Sequence, residues 1–190
     1  MNEPTDPAAR LRHCQDLLAA RELELRHLRE TIDAFLPLDI DTGLLNRNGL
    51  IEAIRRCTLW WERRREHFAV LAVHLPGIER SDNGDRASMA GHFAATIAAS
   101  LRSVDEAGRL DNATFAVVLR DFHREGVNVV SERIGNALRV AAEEYLGTGF
   151  EPQIGLCLVA SREPYVPSHY LDAAVAAAKQ AGGQPQVIEA

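Results

Sequence analysis

The stretch AGRLDNATFAVVL, Ala107–Leu119, constrains the fold more than any other part of this chain. It reads as a strand, a tight turn and a second strand, with Asp111 and Asn112 at the tip. Asn and Asp tolerate positive φ, so the pair suits a hairpin tip. HFAVLAVHL (67–75) is an apolar, β-branched run and predicts a buried strand that ends at Pro76-Gly77. EPQIGLCLVA (151–160) predicts a further strand and PQVIEA a last short one. Helical patterns cover about 48–65, 86–102, 126–145 and 168–183, the last closed by glycine. Helix, strand, helix, hairpin, helix, strand, helix is the order of an α/β (α+β) sandwich with an antiparallel hairpin inside it.

The composition supports a packed core. Hydrophobic residues make up 46% of the 190 and charged residues 25%, which argues against global disorder. The net charge of −6 makes the chain a poor general nucleic-acid binder, so no direct nucleic-acid binding is expected. Cys14, Cys57 and Cys157 are scattered and odd in number, which points to reduced thiols and a cytoplasmic location. The seven histidines form no HxxxH pair, so no metal site is expected. No stretch has the length and apolarity of a membrane span.

Residues 1–9 read as a flexible tail and 10–38 as a long coiled-coil helix. Leu11, Cys14, Leu18, Leu25, Leu28, Ile32 and Phe35 alternate at spacings of three and four, with Arg21 interrupting. This narrow stripe predicts a homodimer through the N-terminal helix. The other reading is an amphipathic helix packed on its own domain. Pro37 ends the helix. The rest, 39–190, reads as one domain. WWERRREHF (60–68) reads as one core tryptophan followed by a solvated basic helix end, rather than as a membrane or nucleic-acid patch.

Five motifs in order resemble the GGDEF family of diguanylate cyclase domains. DIDTGLLNR (39–47) is similar to the family opening DxLTGLxNR, departing at Asp41, where an apolar residue is usual. FAVLAVHLPGI is similar to LLLDLDGF, AGRLDNATFAVVL to ARLGGDEFAVLL, IGLCLVA to the SIGVA strand, and LDAAVAAAKQAGG to ADxALYxAKxxGRN. The resemblance implies a central, mainly antiparallel five-stranded sheet flanked by helices, like the palm of nucleotide cyclases and preceded here by a long helix. It also implies an ancestral reaction in which two GTP molecules on a dimer join into cyclic di-GMP with the help of two metal ions.

That reaction needs carboxylates to hold hard cations, and the matching positions lack them. The metal-binding Asp of the first core strand is His74, and the second Asp of its DLD run is Pro76. The two glycines of the hairpin are Asp111 and Asn112, and the two acidic positions are Ala113 and Thr114, with only Phe115 kept. Pro76 removes a backbone N–H, and Asp111 and Asn112 put side chains where bare backbone should approach a nucleotide. The guanine-reading Asn falls near Asp82, Lys179 matches the lysine of the closing helix, and Gly183 replaces its arginine. The expectation is no enzyme and no cofactor. The other chemistry these residues offer is a hydrolytic set of His74, Asp111 and Thr114.

The family's inhibitory site is kept in pattern. RSVD places Arg102 and Asp105 so that five residues, Glu106–Leu110, separate them from the hairpin tip, as in the RxxD motif. SERI places Arg133 in the helix beyond, 18 residues after Phe115. A guanidinium can fork onto guanine O6 and N7 or a phosphate, and a carboxylate can accept guanine N1–H and N2–H. Each residue also has an ordinary structural reason: Arg near a helix C-terminus, Asp capping a turn, and Arg on a solvated face. The expected function is a non-catalytic cyclic di-GMP receptor using Arg102, Asp105 and Arg133, with a downstream protein partner that the sequence does not name. The alternative is a ligand-free dimeric scaffold.

Overall fold

A computed structural model describes residues 7–78, 83–147, 149–159, 166–181 and 185–189. The chain divides between Leu36 and Pro37 into an N-terminal helix and a second unit with its own core. The helix, α1 (Pro7–Phe35), begins inside the stretch read as tail, because proline is pre-organised for a first helical turn. It stops before residue 38. The residues ahead of Pro37 leave the helical region, and Leu38 pairs with Leu45 in an isolated bridge of the second unit. Leu11, Leu18, Leu25, Leu28 and Phe35 are exposed along α1. The side chain of Ile32 lies outside the described residues.

The second unit runs α2 (Arg47–Arg64), β1 (Phe68–His74), α3 (Asn83–Ala99), β2 (Glu106–Arg109), β3 (Thr114–Arg120), α4 (Val127–Leu146), β4 (Gln153–Val159), α5 (Pro167–Gln180) and β5 (Gln186–Glu189). The five strands form one sheet in the order β2-β3-β1-β4-β5. β1 pairs antiparallel with both β3 and β4, β2 pairs antiparallel with β3, and β5 joins β4 in parallel. β1 is central, which is why its sequence is apolar at almost every position. Alternate residues face opposite ways. Leu71 and Val73 pack in one core with Met89 and Phe93 of α3 and Ile134 and Leu138 of α4. Phe68 and Val70 pack in the other with Leu50 and Trp61 of α2 and Leu171 and Ala174 of α5.

The alanine enrichment of α5 has a steric reason. A Cβ built on Gly155 of β4 would lie 2.2 Å from the Ala178 nitrogen and 2.5 Å from the Ala174 oxygen. The helix backbone therefore rests directly on the strand, and only small residues permit that approach. At the other edge, Gly108 lets Leu45 lie alongside β2: Leu45 N donates to Ala107 O (3.0 Å) and Arg109 N to Leu45 O (2.8 Å). The DIDTGLLNR segment thus covers an edge strand that would otherwise be open. Asn46 caps α2 by accepting from Gly49 N at 2.9 Å.

Two local expectations are corrected. The hairpin tip does not use positive φ: among the described residues, the non-glycine residues in that region are Arg65 and Asp121. The connection Leu110–Ala113 is longer than a two-residue turn, and Asp111 Oδ1 closes it by accepting from Ala113 N at 2.8 Å. Helix α3 ends at Ala99, so Arg102 sits in the following turn rather than at the helix end. Ser100 N and Leu101 N bond to Ile97 O and Ala98 O, tightening the chain out of the helix.

Candidate functional site

The turn after α3, the end of β3 and the start of α4 enclose a groove of about 480 Å³. Its floor is apolar, made by Leu119, Phe122 and Val130, all buried. Arg102, Asp105 and Arg133, the residues that the resemblance places in the family's inhibitory site, all line it. Its shape depends on a bend after β3, where Asp121 adopts φ 46° and Phe122 N donates to His67 O at 3.1 Å. The bend turns the Phe122 ring inward and leaves Asp121 and His123 on the rim, with His123 Nε2 3.7 Å from Asp121 Oδ1. A 3-10 turn, Arg124–Gly126, then leads into α4, which carries Arg133.

The three residues differ in how they are held. Asp105 is half-buried and already engaged. Its Oδ2 accepts from Arg102 N at 3.1 Å and its Oδ1 from Arg120 N at 3.2 Å, while its own N–H donates to Arg102 O at 3.1 Å. It ties the turn to the end of β3. Each carboxylate oxygen keeps a second lone pair for a ligand donor. Arg102 and Arg133 are exposed. Among the arginine side chains described in residues 37–189, all except Arg63, Arg102 and Arg133 meet a carboxylate or a tryptophan ring. Two of these three guanidiniums therefore border one groove.

The hairpin tip is closed in a different way. Arg109 is 7% exposed, and its guanidinium meets Asp39 (3.3 Å), Asp41 (3.2 Å) and the Asn112 amide oxygen (3.1 Å), while Nε donates to Asp111 O at 3.1 Å. This explains the departure at Asp41: the acidic residue supplies a second carboxylate to a buried cation, which needs compensation. Ala113 is buried within the α3/α4 core, and its carbonyl accepts from Leu75 N at 2.8 Å. His74 Nδ1 lies 3.2 Å from the buried Thr114 hydroxyl. Asp111 instead turns its carboxylate to Ala113 N.

These residues do not fit the two metal ions that the resemblance implies. Asp39 and Asp41 are committed to Arg109, Asp111 to the turn, and Ala113 supplies no ligand; an imidazole and a threonine hydroxyl are a poor set for a hard cation. Among the described residues no cluster of three or more His, Cys, Asp or Glu could hold a metal. Lys179 is exposed in the last turn of α5. Asp82 and Gly183 lie outside the described residues.

Other assignments concern packing. Trp61 is in the α2/α5 core, with Arg65 stacked 4.8 Å from its ring, and the Arg120 guanidinium lies 3.7 Å over Trp60. Cys57 and Cys157 are buried free thiols, each pushed up to about 11 by burial, and Cys14 is exposed. No helix among the described residues is long and apolar enough to cross a membrane. Sequence reasoning missed Phe122, His123 and Glu125 of the groove wall and the role of Arg109. The acidic residue at position 41 was a signal for Arg109; nothing in the linear pattern marked the bend at Asp121.

The sheet order and the antiparallel hairpin match the five-stranded sheet that the sequence motifs imply. The solved structures agree: the chain has the fold of GGDEF domains. Diguanylate cyclase SiaD from Pseudomonas aeruginosa, solved with its activator SiaC, matches at TM-score 0.66 and 20% identity over 95% of this chain and 73% of that one. The coiled coil and GGDEF domain of DgcB from Caulobacter crescentus, solved with cyclic di-GMP, matches at TM-score 0.64 and 18% identity over 94% and 97%. The GGDEF domain of FimX from Pseudomonas aeruginosa matches at 0.67 and 16% identity over 80% and 99%. No protein-family model matches the sequence. No curated protein matches it either.

Proposed function

We propose that this protein is a non-catalytic receptor for cyclic di-GMP, acting in the cytoplasm as a homodimer held through α1 and signalling to a protein partner. The observation that carries the reading is the pair of uncommitted guanidiniums, Arg102 and Arg133, on an apolar-floored groove whose turn is fixed by Asp105. The ligand offers two phosphates and two guanine edges, which suit arginine forks. Asp105 holds the turn and offers its remaining lone pairs to guanine donors. The dimer follows from the exposed leucine stripe of α1, which a second copy would cover.

Loss of catalysis is part of the same reading. The position that should bring a carboxylate to the metals is Ala113, packed in the core, and the nearby acidic residues serve the hairpin and Arg109. Incubation with GTP and Mg²⁺ or Mn²⁺ is expected to give no cyclic di-GMP above a no-protein control. Titration with cyclic di-GMP is expected to give saturable binding. Product formation overturns the non-catalytic assignment. Absence of binding at about 100 μM ligand, corresponding to less than about 5.5 kcal/mol of affinity, leaves the ligand-free scaffold.

A further inference from the structure

A second cavity, of about 270 Å³, adjoins the groove and shares Phe122, His123 and Glu125 with it. Its chemistry is different. The floor is apolar, from Phe68, Leu158 and Val159. Its mouth carries two exposed imidazoles, His67 and His123, whose ring centroids lie 5.3 Å apart at 61°. Arg124, the one guanidinium among its described lining residues, is paired with Glu189. Glu125 has no such partner among the described residues, and it borders both cavities. The uncommitted guanidiniums Arg102 and Arg133 therefore lie on the groove side of Phe122, and rings with an acceptor on the other.

We propose that this adjoining cavity is a second-base subsite: it takes one purine of a cyclic dinucleotide against the His67–His123 pair, with Glu125 selecting guanine. The proposal rests on the reading of the groove as a cyclic di-GMP site. A cyclic dinucleotide carries two purines on opposite sides of one phosphodiester ring. With the phosphates and the first guanine on Arg102 and Arg133, the other base has to leave the groove, and the shared wall at His123 and Glu125 is where the groove continues. Purines stack on flat side chains without needing charge. A carboxylate only accepts hydrogen bonds, so it suits guanine, whose N1–H and N2–H₂ both donate. It opposes adenine, whose N1 is itself an acceptor.

The test is calorimetric titration of the full chain with cyclic di-GMP and cyclic di-AMP, on wild type, His67→Ala, Glu125→Ala and Arg102→Ala. His67 and Glu125 are exposed, so the substitutions leave the core intact, which circular dichroism checks. Each of His67→Ala and Glu125→Ala is expected to weaken cyclic di-GMP about tenfold. Cyclic di-AMP is expected to bind wild type at least about tenfold more weakly, and Glu125→Ala to narrow that ratio. If both variants bind cyclic di-GMP within about twofold of wild type while Arg102→Ala loses affinity, the second base lies elsewhere and the subsite is wrong. If wild type binds neither dinucleotide, the receptor reading itself fails.

Discussion

Replacing Asp105 with alanine separates two roles that spacing alone merges. The carboxylate accepts from two backbone N–H groups, Arg102 at 3.1 Å and Arg120 at 3.2 Å. Hydrogen bonds to a charged acceptor contribute roughly 1.5–3 kcal/mol each at good geometry. Both distances are at the long end of the range, and the side chain is only half-buried, so water can replace part of what is lost. The sum expected for Asp105→Ala is about 1.5–3 kcal/mol, equivalent to a melting temperature lower by roughly 3–12 °C for a chain of this size. Asp105→Asn, whose amide oxygen can keep one acceptor contact, falls between. Arg102→Ala removes an exposed side chain with no partner among the described residues, and should stay within about 0.5 kcal/mol of wild type. Urea and thermal unfolding measure all three. Asp105→Ala unfolding within about 0.5 kcal/mol of wild type, or Arg102→Ala destabilised as much as Asp105→Ala, would refute the view that Asp105 builds the turn and Arg102 only borders the groove.

Arg109→Met should destabilise by about 3–5 kcal/mol, because it leaves Asp39 and Asp41 facing each other without their buried cation; urea unfolding tests this, and Arg109→Met combined with Asp41→Leu should recover part of the loss. Deleting residues 1–36 should convert a dimer to a monomer at micromolar concentration in analytical ultracentrifugation; an equally dimeric truncated protein places the interface elsewhere. In the folded protein a small alkylating reagent should label Cys14 and spare Cys57 and Cys157. The two buried thiols are raised from 9.0 to about 11, so the stability they contribute is complete below pH 9 and is lost as pH rises towards 11. Unfolding curves across that window should fall more steeply for wild type than for Cys57→Ala/Cys157→Ala.

The parts of the fold legible in the sequence were those set by local pattern. A run as apolar as 68–74 has to be covered on both faces, and β1 is the central strand. The alanine enrichment of α5 is visible in the sequence, and the contact at Gly155 gives its reason. Features that depend on a distant partner were not legible. Arg109 looked like an ordinary residue of β2 until Asp39 and Asp41, about 70 positions earlier, were folded onto it. Asp111 and Asn112 suggested left-handed backbone, but a side-chain acceptor closed the turn instead. Arg102, Asp105 and Arg133 were legible as candidates only through the resemblance to the RxxD motif. The cavity they line was not, because Phe122 and His123 enter through a bend at Asp121 that no local residue preference requires.

The most direct test of the receptor assignment is calorimetric titration of cyclic di-GMP into wild type and into Arg102→Ala/Arg133→Ala at matched salt. Saturable binding by wild type, weakened by about a hundredfold or more in the double variant, is the predicted result, since each lost charge-assisted contact costs roughly 1.5–3 kcal/mol. Equal affinity in the two proteins, or no heat of binding in wild type, contradicts it.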